Sequence, residues 1–312
     1  MLKNRYDFSI LFDVKNGNPN GNPDADNMPR QDLVTGKGLV TDVCLKHKIR
    51  QYIELVHGTE EGRQIFLRNQ AISDREITQT LIRHQILQEG EVLSDASIKK
   101  AMSRLEKNTS ELDAMLLELL CANYFDIRAF GAVLTALAKS KTLTAQVQGP
   151  VQLTIAESID PILPQNLSIT RTGAASEEYF QKAGYGTIGN KWIVPYGLYR
   201  CNGYISAAQA NKYAGPTGTG ALTEADLELL WEAIANMFEQ DHSAARGEMD
   251  VRGLYIWKHA SLYGNAHAHR IFDTLKVEKK AGVVEPTAFT DYQVIVDETA
   301  LPESVTLRTY DI

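Results

Sequence analysis

Cysteine is scarce in this chain of 312 residues, and its three cysteines stand far apart. Cys44, Cys121 and Cys201 show none of the paired spacings that mark a disulfide framework or a cysteine-rich zinc site. Intracellular proteins in a reducing environment typically lack such frameworks. We therefore expect a cytoplasmic protein whose fold does not depend on disulfides.

Long hydrophobic runs are missing as well. No stretch of the sequence approaches the ~20 apolar residues that are needed to span a bilayer. The first residues do not form the apolar segment of a signal peptide, because Asp7 and Asp13 interrupt the pattern. We expect a soluble protein with no membrane partner.

Familiar catalytic motifs are also absent. The sequence contains no GxSxG elbow, no Walker loop and no GxGxxG dinucleotide motif. His267 and His269 have a spacing that, on an extended segment, could hold zinc or serve acid–base chemistry. Exposed or core-packed histidines explain the pair as well, since no HExxH motif or cysteine partner accompanies it. We predict no metal and no cofactor.

Positive charge is not in excess. Lysine and arginine total 32 against 39 aspartates and glutamates, and the formal net charge is −7. A general nucleic-acid-binding protein usually has the opposite balance. A local basic strip on an acidic body is still compatible with these numbers, because charge is screened beyond ~8 Å at physiological salt. The distribution of charge therefore matters more than its sum.

The patterns that are present predict an α+β fold. Alternating apolar residues predict strands over 6–14, 142–155, 191–205, 253–257, 292–296 and 305–307. Helical spacing predicts one long helix over 41–56, and a second begins at the capping residue Thr223. The order strand, helix, strand, strand, helix, strand is that of a ferredoxin-like or RNA-recognition-like sheet.

Two insertions interrupt this order. Residues 58–140 are mostly helical in pattern and include a predicted short helix over 131–139. Residues 157–190 contain prolines and glycines and predict an extended hairpin built on 167–171. Gly149-Pro150 predicts a bulge or an edge strand within 142–155, and the glycine-rich segment 214–220 predicts a flexible loop.

The helix predicted over 41–56 carries a basic face, which is formed by Lys46, His47, Lys48 and Arg50. Lys37 precedes it in a Gly-Lys-Gly segment. Cations at this spacing, together with the N–H groups at a helix start, can contact successive phosphates. A solvated helix face has the same composition, so both interpretations stand.

A loop rich in asparagine and glycine follows the first strand and reads NGNPNGNPD over 16–24. Its backbone N–H groups and the amides of Asn18 and Asn20 can bind phosphates and RNA hydroxyls. Alternatively, Asp24, Asp26 and Asp32 could bind a divalent metal, although their spacing is not that of a calcium loop. An ordinary surface loop is the third interpretation.

The segment 126–131, which reads DIRAFG, places Arg128 and Phe130 inside an apolar stretch. Asp126 and Arg128, two residues apart, suggest either a fixed ion pair or an Arg128 that faces an anion beside the aromatic ring. Alternatively, Arg128 bonds carbonyl groups at a helix start. The sequence does not separate these interpretations.

Several blocks then show a resemblance to a known family, in the order of that family. They are NPNGNPD (18–24), MPR (28–30), GLVTDV (38–43), DIRAFG (126–131), QGPVQ (148–152) and VPYGLY (194–199). They resemble the backbone subunit (Cas7) of type I CRISPR Cascade, and SAARGEM (243–249) is similar to the type I-C branch in particular. The resemblance spans nearly the whole chain.

The resemblance implies the shape of a right hand. Residues 1–57, 141–156 and 191–312 would form an RNA-recognition-like palm, residues 58–140 the helical fingers and residues 157–190 the thumb. In the family, copies stack head to tail along CRISPR RNA (crRNA) and present its bases to target DNA. The implied partners are therefore crRNA, target DNA through the guide, other copies of the chain, and the handle-capping, large and small Cascade subunits.

The resemblance also implies site residues. Lys46, His47 and Arg50 correspond to the phosphate-binding helix of the family, and Lys139 and Lys141 resemble a second basic cluster. Arg171 is inferred from its charge and its position in the thumb. The remaining RNA-binding candidates from the loop and the quoted motifs are Asn18, Asn20, Arg30, Lys37, Thr41, Arg128, Phe130 and Gln148.

The expected function is that of a non-catalytic guide-RNA scaffold. One alternative is a metal-dependent ribonuclease, because related type III subunits cut RNA with a loop aspartate in the region of Asp24, Asp26 and Asp32. Another is a small-molecule enzyme on a ferredoxin-like fold, which would need a deep apolar pocket.

Overall fold

A computed structural model describes the chain except for residues 70, 135–136, 138–142, 144–145, 172–175, 177, 179–180 and 182–186. The strands are β1 (Tyr6–Gly17), β2 (Gly21–Asn22), β3 (Met28–Pro29), β4 (Lys37–Val40), β5 (Gly131–Val133), β6 (Gln146–Gln148), β7 (Val151–Leu153), β8 (Ala156–Pro161), β9 (Gln165–Arg171), β10 (Thr187–Ile205), β11 (Glu248–His259), β12 (Leu275–Lys279), β13 (Tyr292–Val296) and β14 (Val305–Tyr310). The helices are α1 (Asp42–His57), α2 (Ser73–Arg83), α3 (Asp95–Leu105), α4 (Thr109–Asn123), α5 (Phe125–Phe130), α6 (Ala207–Ala210), α7 (Glu224–Asn236) and α8 (Ala268–Phe272).

A large antiparallel sheet organises the mixed α/β fold. Its strands follow the order β14-β11-β1-β10-β8-β4, and β7 and β9 also pair with β10. The long strand β10 pairs with β9 over its first half and with β1 over its second half. The part of β10 next to β9 therefore extends beyond β1 as a two-stranded hairpin.

Alternation along β1 separates the two faces of the sheet. Phe8 and Phe12 belong to the main core with the apolar residues of α1 and α7, and the Phe8 ring lies 5.1 Å from that of Trp231 in α7. Asp7, Ser9 and Asp13 are also buried, although they alternate with these residues. The second face is therefore covered as well.

The cover on the second face is the segment around α8 and β12. Trp257, Phe272 and Leu275 form a separate apolar cluster there. The Arg200 guanidinium donates to the carbonyl oxygens of Phe272 at 2.8 Å and Leu275 at 2.9 Å. Each of these bonds fastens the cover to β10.

Helices α2 to α5 have an apolar core of their own, to which Leu81, Leu112, Leu116 and Leu120 contribute. Helices α2 to α5 all lie within residues 58–140, where the sequence is mostly helical in pattern. Among the described residues, no helix is long and apolar enough to cross a membrane.

Local sequence signals placed several elements correctly. The helix predicted over 41–56 is α1, and Thr41 is its N-cap. Thr223 and Asp226 form the capping box of α7. The hairpin predicted on 167–171 is the β9–β10 pair.

One prediction was wrong, and two were incomplete. The helix predicted over 131–139 begins instead as strand β5, because Gly131 has φ +78° and pairs with Gln148. The strand predicted over 142–155 is interrupted at Gly149-Pro150, as the sequence indicated, but its parts pair differently: β6 pairs with β5, whereas β7 pairs with β10. The strand predicted over 292–296 is confirmed as β13, and its partner is β12, which the sequence patterns did not reveal.

The segment 214–220 is anchored, although its glycines predicted a flexible loop. Buried Glu118 of α4 accepts hydrogen bonds from the N–H groups of Thr217 at 3.0 Å and Thr219 at 3.1 Å. A Cβ atom on Gly215 would lie 2.4 Å from the Glu118 side chain, so glycine permits this close approach. The loop therefore ties the segment before α7 to the helical insertion.

Candidate nucleic-acid interface

The first turn of α1 is fixed by the loop that follows β1. Thr41 Oγ1 accepts from the Cys44 N–H at 3.2 Å, as an N-cap does. Asn20 Oδ1 accepts from both the N–H and the hydroxyl of Thr41 at 3.1 Å. Asn20 and Thr41 thus set the start of the helix that carries the basic residues.

Lys46 and Arg50 lie one turn apart and converge on one aromatic ring. Lys46 Nζ is 5.9 Å and Arg50 Cζ 5.2 Å from the centroid of Phe130. Both distances are within the range of cation–π contacts. The contact places two positive charges at the junction between α1 and the helical insertion.

Each cation also has a carboxylate partner. Lys46 Nζ lies 3.1 Å from Asp42 on the same helix. Arg50 Nε lies 2.9 Å from Asp126, which is buried and also accepts from the N–H groups of Phe66 and Leu67. Within the described part of the chain, the Nε atom of Arg50 makes the hydrogen bond to Asp126, and the side chain is partly exposed.

Phe130 also brings Gln148 to this junction. The pairing of β5 with β6 sets Gln148 opposite Gly131, the residue after Phe130. The side chain of Gln148 is exposed, while its backbone binds Tyr213 and Gln209. Gln148 is therefore a polar neighbour of the Phe130 backbone.

His47 and Lys48 have different surroundings from Lys46 and Arg50. Lys48 is buried and forms an ion pair with Asp241, whereas Lys46 and Arg50 are partly exposed. Burial, followed by the charge of Lys48, lowers the pKa of His47 below its usual value. His47 is thus a neutral hydrogen-bonding group, and not a cation, at neutral pH.

Asn18 and Arg30 lie in the loop beside the start of α1. Asn18 is buried, and its amide nitrogen donates to the Asn27 carbonyl at 2.7 Å. The carbonyl oxygen of Asn20 accepts from the Arg30 N–H at 3.1 Å. Arg30 Nε and Asn18 Oδ1 are buried without a hydrogen-bond partner in the described residues.

Arg128 is buried and its donors are bonded. Its guanidinium lies 2.6 Å from Asp226 and donates to the carbonyls of Gly62 and Cys121. These contacts join α5 to α7 and to the start of the helical insertion, and the side chain thus forms both an ion pair and hydrogen bonds to carbonyl groups.

Four other candidates are separate from this junction or lie outside the described residues. Lys37 lines a polar cleft of 490 Å³ together with Glu157, Arg200 and Asp273. Arg171 ends β9 opposite Thr187. Lys139 and Lys141 lie outside the described residues.

The acidic loop residues do not converge on a metal site in the described part of the chain. Asp32 Oδ1 accepts from the N–H groups of Val34 at 2.7 Å and Thr35 at 3.2 Å, and these bonds lower its pKa. No group of three or more His, Cys, Asp or Glu side chains among the described residues could hold a metal ion.

The rings of His267 and His269 stack on each other, with their centroids 5.8 Å apart.

The family model described as CRISPR-associated protein Cas7 matches residues 4–297. The chain belongs to the Cas7 family. A curated CRISPR-associated protein Cas7 from Haloferax volcanii is 28% identical over 249 residues, which are 75% of this chain and 65% of that protein. This Cas7 chain therefore spans about two thirds of the length of that relative.

Solved structures also resemble this Cas7 chain at low sequence identity. A chain of a CRISPR RNA-guided surveillance complex, pre-nicking, gives a TM-score of 0.49 at 13% identity, over 81% of this chain and 78% of that one. A chain of a second CRISPR RNA-guided surveillance complex gives a TM-score of 0.41 at 11% identity, over 81% of this chain and 68% of that one. A chain of the type III-B Cmr-beta complex bound to cognate target RNA gives a TM-score of 0.41 at 10% identity, over 81% of this chain and 61% of that one.

Arg246 is a residue of this Cas7 site that the sequence analysis did not select. Its guanidinium lies 3.3 Å from Asp241, the partner of Lys48, and donates to the Pro19 carbonyl at 3.1 Å. It thereby links the loop after β1 to α1. The only signal in the sequence was its position in the SAARGEM block, since more than 200 residues separate it from Pro19.

Proposed function

We propose that this Cas7 protein is a non-catalytic, crRNA-binding backbone subunit of a type I-C Cascade complex. Copies of the chain stack head to tail along the guide in the cytoplasm and leave its bases free to pair with target DNA. The handle-capping, large and small subunits are its other protein partners. The observation that carries the proposal is the convergence of Lys46 and Arg50 on Phe130 in a member of the Cas7 family.

The strand order supports a ferredoxin-like palm. The sequence β11-β1-β10-β7, with α1 and α7 packed on one face, is the order 4-1-3-2 when these strands are numbered along the chain. The separate core of α2 to α5 fits the fingers over 58–140, and the β9–β10 hairpin fits the thumb over 157–190. The cover over the second face directs RNA to the α1 side and not to that face.

The proposed binding mode does not depend on guide sequence. Lys46 and Arg50 offer charge to phosphates, whereas recognition of base edges would need donors and acceptors aimed at particular bases. A subunit that must accept any guide gains from this arrangement, because base pairing then carries the specificity. Arg30, His47, Asn18 and Gln148 complete the proposed contact surface, with Lys37, Lys139, Lys141 and Arg171 as further contacts along the strand.

The double variant K46A/R50A tests the RNA-binding surface. We expect guide affinity to fall ~100-fold, because each charged contact is worth on the order of 1.5 kcal/mol. The slope of log K against log salt should become shallower by ~1.4, which is ~0.7 for each lost single-strand phosphate contact. Both quantities come from binding titrations at several salt concentrations.

The matched control is K99A/K100A, which removes the same charge from exposed positions on α3. Because Arg50 also pairs with buried Asp126, unfolding is measured on every variant. K46A alone serves as the second variant, since its partner Asp42 is partly exposed. Affinity and salt slope equal to those of K99A/K100A would contradict the proposal.

The non-catalytic part of the proposal has its own test. The assembled subunit is incubated with complementary RNA and Mg²⁺, and we expect the RNA to remain intact. The engagement of Asp32 by the N–H groups of its own turn supports this expectation. Periodic cleavage that disappears in D24A, D26A or D32A would instead make the protein a ribonuclease.

A further inference from the structure

His57, the last residue of α1, lies between two carboxylates that belong to different parts of the fold. Its Nδ1 is 2.6 Å from Glu60 Oε1, at the start of the helical insertion. Its Nε2 is 2.9 Å from Glu232 Oε1, in α7. The imidazole therefore bridges the insertion and the helix layer of the large sheet.

The protonation state of the ring decides how many of these contacts are hydrogen bonds. An imidazolium donates from both nitrogens, whereas a neutral imidazole has one N–H and one lone pair. Only the charged ring can donate to Glu60 and Glu232 together. A neutral ring facing both carboxylates would direct its lone pair at one of them.

Arg63 supplies the alternative partner for the neutral ring. Its Nη1 lies 3.1 Å from His57 Nδ1 and 2.7 Å from Glu60 Oε2. When Nδ1 has lost its proton, Arg63 can donate to that nitrogen while Nε2–H remains bound to Glu232. The local geometry thus accommodates two hydrogen-bonding patterns around one ring.

The surroundings favour the charged ring. The charged and titratable groups that face it are Glu60 and Arg63 from the insertion, Glu232 from α7 and Tyr52 from its own helix, whose hydroxyl donates to Glu232 at 2.9 Å. Burial alone would lower the pKa of His57, but the hydrogen bonds to Glu232 and Glu60 outweigh it and raise this pKa above the usual value.

We propose that His57 is a protonation-dependent clasp between the helical insertion and α7. As an imidazolium it joins Glu60 to Glu232, and on losing its Nδ1 proton it releases Glu60. The second link at this place joins the Gly62 carbonyl to Asp226 through Arg128 and does not include His57. Deprotonation therefore loosens the first turn of the insertion without detaching it.

Proton NMR of the full chain tests the clasp. The Cε1–H resonance of His57, assigned by its loss in H57Q, should titrate above the ordinary histidine value of ~6.5. The backbone amides of Glu60 and Arg63 should shift with the same midpoint. E60Q should lower the midpoint, because the neutral amide stabilises the imidazolium less than the carboxylate does.

His84 is the matched control, since its ring lies 3.4 Å from the Asn123 amide and not against a carboxylate. H84Q should leave the His57 titration unchanged. The proposal is overturned if His57 titrates at or below the ordinary value, if E60Q leaves its midpoint unchanged, or if the amides of Glu60 and Arg63 do not follow it. The titration of the unsubstituted protein decides the first and third outcomes even if a variant does not fold.

Stability gives an independent readout. A group whose folded pKa is raised contributes stability below its unfolded pKa, and this contribution is lost as pH rises through the folded pKa. The difference in unfolding free energy between the unsubstituted protein and H57Q should therefore shrink as pH rises above ~6.5. If H57Q lost the same unfolding free energy at every pH, the role of His57 would be purely structural and the proposal would be wrong.

Discussion

At the scale of single residues, the sequence predicted which side chains carry charge but not which partner each of them has. The predicted basic face included Lys46, Lys48 and Arg50, and all three lie on α1, but Lys48 is buried and separate from the other two. The burial of Lys48 depends on Asp241, which lies far along the chain and which no local rule pairs with it. The partner of Arg50, Asp126, is hidden from sequence reasoning for the same reason.

Glu118 allows a prediction about one buried carboxylate. We expect E118Q to destabilise the fold by about 2 kcal/mol, because a charged acceptor of several hydrogen bonds is replaced by a neutral group. Burial would raise the pKa of Glu118, but the hydrogen bonds from Thr217 and Thr219 outweigh it, and the net shift is downward. Urea unfolding at pH 7 measures the loss.

The pH dependence of that loss follows from the sign of the shift. A lowered folded pKa gives stability above the unfolded value of ~4.3, and this stability disappears as pH falls through the folded pKa. The difference in unfolding free energy between the unsubstituted protein and E118Q should therefore disappear below about pH 4. E111Q, at an exposed capping position of α4, is the control. A difference in unfolding free energy that stays constant down to pH 3 would contradict this account.

At the scale of elements, prediction succeeded where the signal is local. The N-cap of α1 and the capping box of α7 lie within four residues of the helix starts they determine. Prediction did not succeed where pairing with a distant segment decides the structure. Residues 131–133 form a strand because 146–148 lie alongside them, and β12 exists through its pairing with β13.

Gly131 provides a prediction at this scale. It has φ +78°, and a Cβ atom there would lie 2.4 Å from both Gly149 N and Val147 O. G131A should cost the strain of a left-handed residue, ~1 kcal/mol or more, and in addition push β5 away from β6. Because Phe130 precedes this glycine, we also expect weaker guide binding.

The control for G131A is G282A. Gly282 has φ +88°, but a Cβ atom there meets nothing within 4 Å. It therefore reports backbone strain without steric contact. Thermal unfolding and guide titration of both variants separate the two contributions, and equal effects of G131A and G282A would rule out a special role for the β5–β6 approach.

At the scale of the whole molecule, the net charge of −7 does not conflict with the proposed RNA binding, because binding depends on the charge near the contact surface and not on the sum. Lys46 and Arg50 lie together at one junction, and an acidic remainder limits non-specific binding of polyanions. The alternation of β1 predicted its core face, and the consecutive apolar residues 10–12 predicted that the second face is covered as well. The structure covers that face with α8 and β12, which only tertiary contacts could reveal.

The hydrogen bonds of Arg200 hold α8 and β12 over the second face of the sheet. Arg200 is largely buried, and R200M would leave the carbonyl oxygens of Phe272 and Leu275 without their donor. We expect faster hydrogen exchange over 268–279 and a loss of about 2 kcal/mol in stability, since buried acceptors lose their partners. Guide affinity should stay within about twofold, because the main proposed contacts, Lys46 and Arg50, lie on α1 and not at the cover, and a twofold change is under ~0.5 kcal/mol.

R308M is the matched control, since Arg308 makes an exposed ion pair with Glu228 and does not touch the cover. It should leave exchange over 268–279 unchanged. If R200M instead raised guide affinity severalfold as the cover loosened, the second face would itself bind RNA, as the open sheet of an RNA-recognition module does. RNA binding would then be assigned to the face that α8 and β12 cover, and not to Lys46 and Arg50.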